Sequence, residues 1–281
     1  VSRADNDMAL YTDSGLTLFD GVARRVAMVP SAAMLPGAAG NAVYIDGVPV
    51  TGSGAMMAVE SGRLAGLAAV RDTYAVTYQR QMDEIARGLI ETFAERDQSA
   101  IPVLPDIPGL FTYPGAPAVP ASGVLADGLA GAIFVSASVD TVSGGDFRRL
   151  RDGAIGDPGN PAYIYNAAGA AGFSDRIHSL IDGLAAARAF DPASGLGSPE
   201  NISSAASASS GWLQDARQKA TADAEYRTTL MQRSHDALSR ATGVNLDEEM
   251  TSLLDIERAY QTSSKLLTVI DTMFQSLLNA T

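Results

Sequence analysis

The stretch Leu253-Leu-Asp-Ile256-Glu-Arg-Ala-Tyr260-Gln-Thr-Ser-Ser-Lys-Leu-Leu267-Thr-Val-Ile270-Asp-Thr-Met-Phe274-Gln-Ser-Leu277-Leu278 decides how the C-terminal part of this chain folds. From Ile256 the spacing alternates four and three, through Tyr260, Ser263, Leu267, Ile270, Phe274 and Leu277, which is a heptad seam. Leu253, Leu266, Met273 and Leu278 widen it. The spacing predicts one long helix with an unbroken apolar stripe. Its candidate partner-binding residues are Leu253, Ile256, Tyr260, Leu267, Ile270, Phe274, Leu277 and Leu278.

Upstream, Ser198 followed by Pro199 and Glu200 predicts a helix start, with a capping side chain and proline at the first helical position. Gly243 is expected to end that helix and Asn245 to cap the next. Asp247, Glu248 and Glu249 then sit in a first turn, where acidic side chains are stabilised by the helix dipole. The two helices are expected to form an αα-hairpin or coiled coil. The upstream stripe, Leu213, Ala216, Ala220, Ala224, Tyr226, Leu230, Ala237 and Leu238, is Ala-rich and does not match the last helix in bulk. Two readings follow: an intramolecular coil that closes a bundle, or a docking surface, since a bulky apolar face without cover invites a partner. A segment preceding Val1 or a neighbouring subunit would supply that cover, because a chain opening on Val reads as a fragment.

Working outward, apolar residues from Leu64 to Phe93 recur at helical spacing and predict one long amphipathic helix of about 35 residues. Its Arg, Gln, Asp and Glu are expected on the solvent side. Residues 101–128, rich in proline and glycine, read as a long loop, 132–136 as a strand and 174–188 as a helix with the stripe Ile177, Leu180, Ile181 and Leu184. Residues 1–60 read as β, with hairpin turns at Asp13-Ser14-Gly15 and Asp46-Gly47. The expected class is α+β: a small antiparallel β region, then long amphipathic helices and a C-terminal αα-hairpin. The expected divisions are a β-rich region over 1–60, a middle helical and β region over 61–197, and a helical hairpin over 198–281.

Composition excludes several functions. The net charge of −12, without a basic cluster, argues against nucleic acid and against an anionic membrane surface. No apolar run approaches the roughly 20 residues of a membrane span. With no cysteine there are no disulfides, thiol nucleophiles or cysteine-based zinc sites. His178 and His235 stand on separate helices and give no metal-ligand spacing. The glycines at 144–145 and 153–159 lack phosphate-loop spacing, and no Gly-x-Ser-x-Gly elbow occurs. No catalytic residue, metal or cofactor is therefore expected, and the chain is expected not to be an enzyme. The acidic polar face of the last helix also disfavours a secreted translocator that inserts into membranes.

Gly243-Val-Asn-Leu-Asp-Glu-Glu-Met250, Ala259-Tyr-Gln261 and Asp271-Thr-Met-Phe-Gln-Ser-Leu-Leu278 resemble the C-terminus of the flagellar axial proteins, the family of rod, hook and hook–filament junction components. Ser61-Gly-Arg-Leu-Ala-Gly-Leu-Ala-Ala-Val-Arg-Asp72 and Tyr11-Thr-Asp-Ser-Gly-Leu-Thr-Leu-Phe-Asp-Gly21 resemble segments of its hook–filament junction branch. Ser263, Ser264 and Lys265 depart from the family's usual run after Ala-Tyr-Gln. The resemblance implies a structural adaptor of motility, lying outside the cell in the flagellum and exported by the flagellar type III apparatus. The partners it implies are its own copies in a ring, the hook protein, the second hook–filament junction protein and a dedicated export chaperone (FlgN-like).

Overall fold

The computed structural model describes residues 8–116, 118–242 and 246–279. It divides into two compact units, Val1–Asp215 and Ala216–Thr281.

In the first unit the chain opens with two small antiparallel sheets. One has the order β1 (Ala9–Tyr11), β2 (Thr17–Asp20), β3 (Val22–Ala23); the other β4 (Val26–Met28), β5 (Val43–Ile45), β6 (Val48–Pro49). Both expected hairpin turns are present. At the second, Asp46 and Gly47 take φ of 46° and 83°, the left-handed pair that a two-residue hairpin requires and that Asp-Gly tolerates. Alternation sends Val43 and Ile45 inward, where with Val50 they form a core covered by Leu16, Leu18 and Val59. Strand β3, two residues long, gives no periodic signal in the sequence.

The expected long helix is found as α1 (Gly62–Ala69), a π-helical turn over Val70–Tyr74, and α2 (Ala75–Thr92). Its polar side is corrected by the structure. Gln81, Asp83, Glu84 and Arg87 are buried, not solvent-facing, because later segments wrap α2 on all sides. On one flank Ala86 and Ile90 pack with Leu129, Phe111, Tyr113, Val119 and Ile133; on another Ile85 meets Phe190, Leu196 and Ala205. Complete burial of Ile90 contributes roughly 1.5–3 kcal/mol. Gly88 allows a close approach to α2: a Cβ there would lie 3.2 Å from Arg188 Cδ and 3.3 Å from Ile202 Cγ1.

The buried charges are matched. Arg87 donates to Glu84 through Nε (3.0 Å) and Nη2 (2.8 Å), to Glu91 through Nη1 (2.5 Å) and to the Ala189 carbonyl (2.6 Å). Burial pushes the Arg87 guanidinium down, but the Glu84 and Glu91 carboxylates outweigh it and hold it above the ordinary arginine value. Asp83 accepts from the Gly128 and Ala130 amides, and Glu84 from the Asp191 amide. The side chains of α2 thus replace backbone partners for a region poor in secondary structure.

Among the described residues that region, 101–128, is a loop broken by β7 (Phe111–Thr112). The expected strand at 132–136 shortens to β8 (Phe134–Val135), paired with β7. Its first residue, Ala132, instead ends the short helix α3 (Leu129–Ala132), which Asp83 holds. Helix α4 (Arg149–Asp152) precedes α5 (Asp175–Ala185). Of the expected α5 stripe only Leu180 is buried: Ile181 and Leu184 are exposed, while Arg176 is buried toward Glu95.

Helix α6 runs Ile202–Thr242, so the cap expected at Ser198 moves three residues on, to Asn201. Glu200 is taken up by a two-way backbone pairing with Arg188 (2.9 and 3.1 Å), and Ser198 Oγ accepts from the Phe190 amide. Asn201 caps instead, its Oδ1 accepting from the Ser204 amide at 2.8 Å. Ile202, Ala205 and Ser209 are buried, the Ser209 hydroxyl donates to Gln81 Oε1 at 2.7 Å, and Trp212 meets Tyr74 with ring centroids 6.0 Å apart.

The second unit holds the rest of α6 and α7 (Leu246–Leu278). Two long helices follow one another as expected, while Gly243 and Asn245, the expected stop and cap, lie outside the described residues.

Candidate assembly surface

All eight candidate partner-binding residues lie on α7, with Asp247, Glu248 and Glu249 in its first turn. From Asp247 to Leu278 every described side chain is exposed, from 43% at Ile270 to 79% at Tyr260 among the eight. The described part of α6 from Arg217 onward is exposed as well, including Tyr226, Leu230, Met231 and Leu238.

At about 100° per residue, the eight positions occupy a stripe roughly 120° wide. Leu266, Val269 and Met273, all exposed, extend it to about half the circumference. A stripe that wide exceeds what one helix of a two-stranded coil covers, so it fits contact with more than one neighbour. Val269 escapes a strict heptad count; the density of apolar residues after Ala259 is the signal that finds it. Leu254 and Met250 lie off this stripe and are exposed too.

The polar side of α7 satisfies itself. The hydroxyls of Thr262, Thr268, Thr272 and Ser276 donate to the carbonyl four residues back, at 2.8, 2.9, 2.5 and 3.0 Å. A hydroxyl engaged in this way can enter an interface without losing a partner. Over about the last four turns, Lys265 and Asp271 are the charged residues of an otherwise neutral helix.

Elsewhere, the first unit carries a groove of about 970 Å³ between the end of α2, residues 119–122 and α5. Its charged lining is largely engaged internally: Arg96 faces Asp106 at 3.5 Å, Arg188 faces Glu91 at 3.4 Å and Arg176 binds Glu95 at 2.9 Å. Burial pushes the Arg188 guanidinium down against the pull of Glu91. Among the described residues no three His, Cys, Asp or Glu side chains converge as metal ligands, and no helix is long and apolar enough to cross a membrane. His178 and His235 stand exposed on α5 and α6.

Residues 238–280 match the family model for the flagellar basal body rod FlgEFG protein C-terminal region. The match covers α7 and the end of α6, the same stretch that leaves its apolar side chains in solvent. It supports a flagellar axial protein, a structural component that assembles with its own copies and with other flagellar parts. No curated protein and no solved structure matches the chain.

Proposed function

We propose that the protein is a hook–filament junction component of the bacterial flagellum, of the hook-associated protein 1 type, joining hook to filament through helical packing of α7. The observation that carries this reading is the coincidence of the matched segment 238–280 with a helix whose apolar half-circumference is exposed. The junction assignment, finer than the family match, rests on the resemblance of residues 11–21 and 61–72 to that branch. In this reading copies form a ring. The hook protein lies on one side and the second junction protein on the other, and an export chaperone (FlgN-like) covers the seam before passage through the type III apparatus. The protein acts by assembly, outside the cell, and performs no catalysis.

A second reading, another axial component such as a rod, hook or second junction protein, draws on the printed description of the matched family, which names rod proteins. A membrane-inserting translocator fits least, given six acidic against two basic residues from Leu246 onward. Deleting the coding gene in a flagellated source bacterium separates a junction role from a rod or hook role. A junction role leaves complete hooks without filaments in electron micrographs, whereas a rod or hook role leaves no complete hook.

A further inference from the structure

We infer that the loop joining β4 to β5, residues 29–42, is a latch that holds the β lobe against the helical body, and that opening it frees the lobe while both cores stay folded. The lobe's apolar core, Val43, Ile45 and Val50 with Leu16, Leu18 and Val59, takes no member from beyond residue 59. The body's clusters take none from before Ile85. Among the described residues no cluster of buried apolar side chains spans the two, so a shared hydrophobic core does not fix the lobe in place.

The connection is largely polar and concentrates on this loop, where Pro36 also packs against Gly128. Gly40 donates its amide to Asp72 Oδ1 at 2.8 Å. Asp72 is held in turn by the neighbouring Arg71, at 2.6 Å to Nε and 2.8 Å to Nη2, and Arg71 Nη1 reaches Met28 Sδ at 3.9 Å. Arg71 packs so close to Gly40 that a Cβ at residue 40 would overlap its guanidinium. Arg80 Nη2 donates to the Gly37 carbonyl at 3.2 Å, and Arg80 Nε faces Asp127 Oδ1 at 3.8 Å. Asn41 ties the loop to itself through the Val29 carbonyl at 3.0 Å.

Arg71 and Asp72 lie in the π-helical turn, which breaks the regular α-helical progression where the helix meets the loop. A π-turn inside a long helix at a polar clamp is the kind of local irregularity that marks a functional site. The other tie is the covalent exit from the lobe, where Asp13 accepts from the Glu60 amide (3.0 Å) and Ser61 Oγ (2.6 Å). That short segment serves as the hinge about which an unlatched lobe turns. The latch is independent of the flagellar reading.

Hydrogen exchange on the full chain tests it, comparing the wild type with Asp72→Ala, Arg80→Ala and the double variant. Asp72→Ala is expected to speed exchange across 36–42 about tenfold, the equivalent of one lost charge-assisted hydrogen bond, and the double variant more. Exchange in Val43–Ile45 and in 81–90 stays as in the wild type. Asp72→Asn, which keeps an acceptor for the Gly40 amide, falls between. No acceleration in either alanine variant would overturn the latch. So would an equal acceleration across the loop, β5 and α2, because the lobe and body would then be one cooperative unit.

Discussion

Glu95 and Arg176, 81 positions apart, meet at 2.9 Å between Oε1 and Nη1 where both side chains are almost wholly buried. The second carboxylate oxygen of Glu95 accepts the amides of Ile155 (2.8 Å) and Gly156 (2.9 Å), and Arg176 stacks on Tyr165 at 4.1 Å from the ring centroid. One buried carboxylate thus joins the end of α2, the turn after α4 and the start of α5. Arg176→Met leaves that charge without its cation. It is expected to destabilise the first unit by about 3–5 kcal/mol in urea unfolding, the cost of breaking a buried pair from one side. A loss below about 1 kcal/mol would place the stability of this region elsewhere.

Asn201→Ala is expected to cost about 0.5–2 kcal/mol by the same measurement, as the loss of a helix cap. Ser198→Ala removes no cap and acts only through the Phe190 amide, so it should cost less than Asn201→Ala. The reverse order would return the start of α6 to Ser198.

Acid should weaken the first unit in a defined direction. The Ser61 hydroxyl lowers Asp13, the Arg71 guanidinium lowers Asp72 and the Arg151 guanidinium lowers Asp152. Asp97 falls furthest, held by Ser99 and the amides of Leu104, Ser99 and Val103. Each of these carboxyls binds protons less readily folded than unfolded. Their contribution is therefore complete above the ordinary value of about 3.9 and is lost as pH falls toward the lowered folded values. Urea midpoints should be level from pH 7 to about 5 and decline below about 4. A midpoint that rises on acidification contradicts these assignments.

Leu267→Asp with Ile270→Asp is expected to leave the first unit untouched, since both positions are exposed and lie outside it. Fluorescence of Trp212, the sole tryptophan, which contacts Tyr74, reports that unit and should show an unchanged urea midpoint. Motility and chaperone capture in the same variant should be lost. Normal swimming would remove α7 from the assembly contact.

Much of the fold is legible in the sequence because periodicity and turn chemistry act locally. Asp46-Gly47 names its own hairpin, and the 3.6-residue spacing of Leu64 to Phe93 names its helix. The polar spine of α2 is not legible for a physical reason. Glu84, Arg87 and Glu91 at spacings of three and four look like a solvated ladder. Only contacts with residues a hundred positions later, such as Ala189 and Asp191, turn them inward. The start of α6 fails similarly: Ser198-Pro199 carries the local signal, but pairing of Glu200 with Arg188 claims the backbone first. The α7 stripe is legible because its spacing is a local property of one helix, and among the described residues its side chains stay exposed.

In the proposed function α7 is the assembly surface that joins this protein to the flagellar hook and filament. The most direct measurement is a pull-down of the tagged full chain from its flagellated source bacterium, beside the Leu267→Asp, Ile270→Asp variant. Hook protein and the second junction protein should co-purify with the wild type and be absent from the variant. Recovery of neither with the wild type, or of both with the variant, would contradict it.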